Sequence, residues 1–300
     1  MIFARLTQRW HALRFWREHQ SLTRLDPVRR LRGVPADDLF LHISGHDYLA
    51  RGLKAGERMR CALSHYRFED ATFDAAWLGA VYGGGGLALW QHEGDGSSFA
   101  LRLAMSPRQD PEGELTLALV VDGQVLHRLS WAWVEGSLFG LALPVVPFVT
   151  RNDGLWRDAG GAFDAFERVF PNNSPSFFCF AALQGMAQAL EIDRVVAVRA
   201  AAHVAHDATR SEAAARAFDN AYDGFWRILG GTELDARAFL VPLPFYLKPL
   251  QDMPSKHRKR AAQRREHWRA IGDAARGAAL RHMAPAEVAR EVAAGAATTV

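Results

Sequence analysis

The stretch LTLALVVDGQVLHRLSWAWV, residues 115–134, decides the fold class. Two runs rich in leucine, valine and aromatic residues flank Asp122-Gly123. A two-residue hairpin turn needs positive φ at both central positions, which Asp-Gly adopts at little cost. The expectation is an antiparallel hairpin within a sheet. Upstream, LALWQHE (87–93) and FALRLAM (99–105) read as shorter strands interrupted by GDGSS. Downstream, Leu138 to Val146 is nearly all apolar and reads as a central strand, followed by a polar loop from about Thr150 to Gly161. FFCFAALQGMAQALEI (177–192) carries apolar residues at helical spacing and runs into the β-branched IDRVVAVRA (192–200). A second helix is expected from an N-cap at Ser211 to a C-cap at Gly230-Gly231, ahead of the strand AFLVPLP (238–244). Residues 1–75 read as helical, with Leu49, Leu53, Met59 and Leu63 marking a helix within 47–66. The fold class is therefore α/β in its α+β form, a mixed central sheet flanked by helices. Three segments are expected: a helical 1–75, a core over 76–250, and a basic helix with an alanine-rich tail over 251–300.

Composition narrows the functional classes. Three hundred residues, 49% apolar and 23% charged, bury a substantial core and exclude disorder. A formal net charge of +3 names no polyanionic partner by itself. Cys61 and Cys179 sit alone in apolar surroundings, which offers no disulfide framework and suits a reducing cytoplasm. The longest apolar run, Leu138 to Val149, is broken by Pro144 and Pro147 and falls short of the ~20 residues a bilayer needs. The N-terminus MIFARLTQRWHALRFWREHQ lacks the apolar stretch of a secretory signal. A cytoplasmic location is expected, with that basic, aromatic segment docked on the body of the protein or lying on the inner membrane.

Five stretches carry a family likeness: HDYLARGL (46–53), LSHYRFE (63–69), EGELTLAL (112–119), YDGFWRILGG (222–231) and DMPSKHRKRAAQRRE (252–266). In order and spacing they resemble the VirK/YbjX family over roughly residues 40–270. That resemblance implies a role in virulence and tolerance of envelope stress in Gram-negative bacteria, and it implies no particular reaction. The chain departs from the family pattern at FGLALPVV (139–146), where Gly-Gln-Gly is usual, and around Glu167, where a basic residue is usual. A second resemblance is architectural. The hairpin, strand, helix, VVAVRA strand and a helix ending in Phe225-Trp226 before glycines look like the GNAT acetyltransferase fold. Such a fold implies an acyl carrier between two splayed parallel strands, its pyrophosphate on the N–H groups of the next helix N-terminus. The matching region makes Gly140, Arg151, Asn152, Gly154 and Arg157 the candidate donor-binding residues.

Candidate catalytic groups follow from position. His203, after the VVAVRA strand, sits where α/β proteins place site residues, and its imidazole could act as general base. His206 and Asp207 lie beside it without the spacing of a metal motif, so no metal is expected. Glu112 and Glu114 alternate at a strand entrance, where they would share a face and one would have a raised pKa, or would simply be solvated. His65 and Tyr66 read as a core pair, as do Tyr222, Phe225 and Trp226, while Ser44-Gly45 argues against a helical metal pair at His42 and His46. From Lys256 to Arg269 seven basic residues face a single acid, Glu266. Of these, Lys256, Arg258, Lys259, Arg260, Arg264 and Arg265 are the candidate contacts to phosphates of RNA, anionic lipid or a carrier, with Trp268 available to stack.

Two readings result. One is an acyl- or aminoacyl-transferase using acyl-CoA or aminoacyl-tRNA as donor and an amine or hydroxyl as acceptor, with His203 or Glu112 as base. The basic C-terminal helix favours the tRNA donor. The other is a non-enzymatic accessory protein that binds membrane, RNA or a protein. An enzyme should open a cleft onto His203 and a carboxylate; an accessory protein should close it with Phe139, Leu141 and Phe148.

Overall fold

Val121 pairs with Gln124 across Asp122 at φ 50° and Gly123 at φ 81°, so the expected two-residue turn closes the hairpin. It belongs to a computed structural model that describes residues 13–31, 36–108, 110, 112–155 and 160–284. Arg157 and the first twelve residues lie outside that set. The hairpin strands are β3 (Leu115–Val121) and β4 (Gln124–Val134), preceded by β1 (Leu87–Gly94) and β2 (Ser97–Met105). Asp95 and Gly96, at φ 51° and 75°, make a second Asp-Gly hairpin out of the expected break. Leu101, Leu103, Leu117, Leu119 and Leu129 share one fully buried face, whereas Ser98 and Arg102 at alternate positions reach solvent.

β5 (Val146–Gly154) continues the meander antiparallel to β4, and β6 (Arg194–Val198) joins β5 in parallel. With β7 (Thr232–Glu233) and β8 (Ala238–Pro242) the sheet has eight strands in the order β1-β2-β3-β4-β5-β6-β8-β7. The apolar strand expected over 138–146 is corrected. Gly136–Phe139 is a 3-10 turn, Gly140 takes φ 69°, and Pro144 has no N–H to give to a ladder, so pairing begins only at Val146. Thr150 to Gly154, expected in a loop, form the end of that strand.

Among the described residues the helices ahead of the sheet include α1 (Trp16–Arg24), α2 (Asp26–Arg29), α3 (Ala36–Ser44), α4 (Ala55–Thr72) and α5 (Ala75–Tyr82). The expected helix over 47–66 begins only at Ala55, because Leu49 at φ 63° and Gly52 at φ 81° turn the chain first. α4 packs on β4 and α5 on β2. α6 (Ala162–Val169) and α7 (Pro175–Ala189) follow β5. α8 (Glu212–Asp219), capped by Ser211, runs through a π turn, Asn220–Gly224, into α9 (Phe225–Ile228). The long α10 (Ser255–Arg281) crosses α7 where a Cβ on Gly185 would stand 2.0 Å from the Gly272 carbonyl oxygen, so only glycine allows this approach. One buried apolar cluster spans Leu22 in α1, the strands and Ala279 in α10.

Candidate functional site

The parallel strands β5 and β6 touch briefly. Phe148 opposes Val196 and Val149 opposes Ala197, and no further pair is in register. Past that point β5 carries an extra residue: Trp131 pairs with Val149 and Ser130 with Arg151, leaving Thr150 as a bulge. The π turn fills the opening. The Tyr222 hydroxyl lies 2.8 Å from His203 Nε2 and accepts from the Asn152 N–H at 3.5 Å. Asn152 Nδ2 donates to the Ala221 carbonyl at 2.9 Å, and its Oδ1 meets His127 Nε2 at 2.9 Å. Asp223 accepts from the Ala200 N–H, and the Trp226 indole donates to the Val198 carbonyl, fixing the turn to the end of β6.

Beside this opening lies a cavity of about 400 Å³, lined among others by His127, Asn152, Gly154, Ser174, Ser176 and Phe225. Asn173 and Ser174 also line a second cavity of about 450 Å³, bounded by Phe177, Tyr246, Lys248, Arg264, Arg265 and Trp268. The two form one groove past the N-terminus of α7, where Pro175 occupies the first turn and no side chain caps the helix. Asn173 Oδ1, Arg264 Nε and Trp268 Nε1 are buried there without a hydrogen-bond partner.

The candidate residues divide between this groove and its surroundings. Asn152 and Gly154 line it. Arg151 does not present a free cation: its guanidinium donates to Asp110 at 2.7 Å and to Glu112 at 2.6 Å, with Asp153 at 3.7 Å. Burial raises the Glu112 pKa, with Arg151 opposing the rise. Gly140 caps the 3-10 turn and lines neither cavity. His203 is 2% exposed. Its Nδ1 accepts from the Ala205 N–H at 3.0 Å, so the neutral ring carries its proton on Nε2, and burial pushes its pKa down to about 3. Asp207 is spent on the Thr209 N–H and hydroxyl. Phe139 and Phe148 pack edge to face at 4.9 Å.

Glu112 and Glu114 do not share surroundings, since Gly113 at φ 147° separates them. Glu114, 1% exposed, accepts from the hydroxyls of Tyr48 at 2.7 Å and Tyr66, with Arg108 at 3.4 Å and His42 at 3.7 Å. Burial pushes its pKa up, but His42, Arg108, His65 and the Tyr66 hydroxyl outweigh that and hold it at about 2. Next to it His65 Nδ1 accepts from the Trp133 N–H, and Nε2 faces the Tyr82 hydroxyl at 2.9 Å. Glu69 accepts from the indoles of Trp77 and Trp133 at 2.9 and 2.8 Å, and burial lifts its pKa to about 7 against those donors. The stretches 46–53, 63–69 and 112–119 thus meet in one buried polar network. Helical periodicity placed His65 and Tyr66 in the core. Nothing local signalled Tyr48 or Glu69, whose partners lie across the fold.

On α10, Arg258 donates to the carbonyls of Met253 and Gln251, Arg264 to Asn172 and Arg265 to Lys248. Among the described residues none of the seven basic side chains from Lys256 to Arg269 pairs with a carboxylate.

Fold and groove together define an α+β protein, a mixed sheet with a single parallel junction that opens beside an uncapped helix. The chain belongs to the VirK/YbjX family, described as "Protein of unknown function (DUF535)", whose model matches residues 17–138 and 174–270. The unmatched 139–173 contain β5. No curated protein and no solved structure matches the chain. Among the described residues no helix is long and apolar enough to cross a membrane.

Proposed function

We propose that the protein binds a phosphate-bearing acyl donor in the groove and passes the acyl or aminoacyl group to an amine or hydroxyl. The observation that supports this most is a groove that runs from Asn152 and Gly154 at the end of β5 past the α7 N-terminus to Arg264 and Arg265. Donor phosphates gain from the N-terminal end of α7, where the helix dipole is positive, and from both guanidinium groups. The carrier arm would run past Ser174 toward Asn152 and Gly154. His203, Glu112 and Glu114 stand outside the groove lining, so in this reading the proton of the acceptor amine or hydroxyl would leave to solvent. Acyl-CoA and aminoacyl-tRNA both have the required chemistry.

Titration calorimetry with acetyl-CoA and with bulk aminoacylated tRNA tests the reading. One donor should bind saturably, and Arg264→Glu with Arg265→Glu should weaken it at least about tenfold. Failure of both donors, or an unchanged affinity in the double variant, overturns it.

A specific observation favours a second reading, that of an accessory binding protein acting in envelope stress or virulence. Both ring nitrogens of His203 are engaged, and neither groove cavity is lined by His203 or a carboxylate. Saturable donor binding without acyl loss to added amines would select it.

A further inference from the structure

We infer that the outer lip of the groove, with the cations that border it, is a docking surface for an anionic phospholipid bilayer. Three large apolar side chains stand in water along that lip: Ile228 at 62% exposure, Tyr246 at 55% and Leu247 at 39%. They come from two separate stretches that the fold clamps together, since the Tyr246 N–H donates to the Leu229 carbonyl at 2.9 Å. Leu229 is buried, and this places its neighbour Ile228 outward. All three line the recess that also holds Lys248, Arg264 and Arg265.

Along α10 Lys256, Arg258, Lys259 and Arg260 are exposed, and among the described residues none has a carboxylate partner; at about 100° per residue Arg258 stands on the groove side with Ala261, Arg265 and Trp268. The acids close by in sequence are Asp252 and Glu266. The recess joins Lys248, Arg264 and Arg265, and Arg258 through the carbonyl of the lining residue Met253, to that apolar lip, which fits a surface that is anionic outside and apolar beneath. Lysine and arginine meet the lipid phosphates, Tyr246 sits at headgroup depth, and Ile228 and Leu247 leave water. A nucleic acid would satisfy the cations but would leave those two aliphatic side chains in water, so lipid is the occupant the surface favours. Docking needs no acyl donor and stands apart from the transfer reading.

Vesicle sedimentation tests it on the full chain. Protein should pellet with phosphatidylcholine vesicles containing phosphatidylglycerol, stay in solution with phosphatidylcholine alone, and dissociate progressively with salt. Lys248→Glu and Arg258→Glu combined should reduce binding at least about tenfold. Ile228→Asn with Leu247→Asn, leaving every charge in place, should also reduce it. These side chains are exposed, so the variants should melt as the parent does. Equal pelleting with neutral vesicles, no pelleting with either, or binding unaffected by the asparagine pair each overturns the proposal. So does tighter binding to duplex RNA that survives the asparagine pair, or a dimer that the pair dissociates.

Discussion

Three buried imidazoles give the molecule a defined response to acid. Burial holds His65 and His127 down to about 4 and His203 to about 3, against an ordinary 6.5. A base with a depressed folded-state pKa contributes stability that is complete above 6.5 and lost as pH falls toward the folded value. Each should therefore cost about 2 kcal/mol at pH 5, by the linkage between pKa and stability. Urea unfolding should show a much lower midpoint at pH 5 than at pH 7, and equal midpoints would refute the neutral, buried assignment. Glu69 has the opposite sign. Its carboxyl, raised from 4.5 to about 7, contributes stability that is complete below 4.5 and lost as pH rises through 7. The stability gap between the parent and Glu69→Gln should therefore shrink between pH 5 and pH 8, by up to about 3 kcal/mol. A gap that widens would show the carboxylate to be the form its two indole donors prefer. None of this was visible locally, because a lone His or Glu in a periodic segment carries no mark of which indole or hydroxyl it will meet.

At the scale of elements, the α7–α10 contact depends on two glycines. Gly185→Ala would drive a methyl group into the Gly272 backbone and should lower stability by about 1–3 kcal/mol or more, since backbone cannot yield as a side chain can. Thermal melting together with the near-ultraviolet signal of Trp268 should register it; an unchanged melt would mean that the helices part freely. Gly113, with φ 147° and a Cβ position 2.8 Å from the Trp131 nitrogen, should tolerate alanine equally badly. The elements themselves were largely legible. The Asp122-Gly123 turn forms its hairpin, the Ser211 cap holds, and the segments at 177–189 and 194–198 are helix and strand as their patterns required, while Asp95-Gly96, read only as a break, also turns a hairpin. β5 was misplaced because its polar end looks like a loop until Arg151 finds Asp110 and Glu112 and Asn152 finds His127.

For the whole molecule, α10 closes the structure. Ile271, Ala275 and Ala279 are buried, the Asp74 N–H donates to the His282 carbonyl, and Phe73 pairs with Met283. A chain ending at residue 270 should therefore lose cooperative unfolding and expose α7, read as a lower, broadened calorimetric transition; a sharp, unshifted one would show the end to be dispensable. The amino-acid sequence by itself determined the hairpins, the alternation of buried and exposed strand positions, the long cationic helix and the family. These depend on local φ preferences, periodicity and charge order along the chain. Only the tertiary structure decided where the buried carboxylates went, that Arg151 would be neutralised, that Tyr222 would fill the β5–β6 opening, and that Ile228, Tyr246 and Leu247 would form one lip. Each depends on contacts between distant segments, and pairing energies in a low-dielectric interior exist only once folding has brought those segments together.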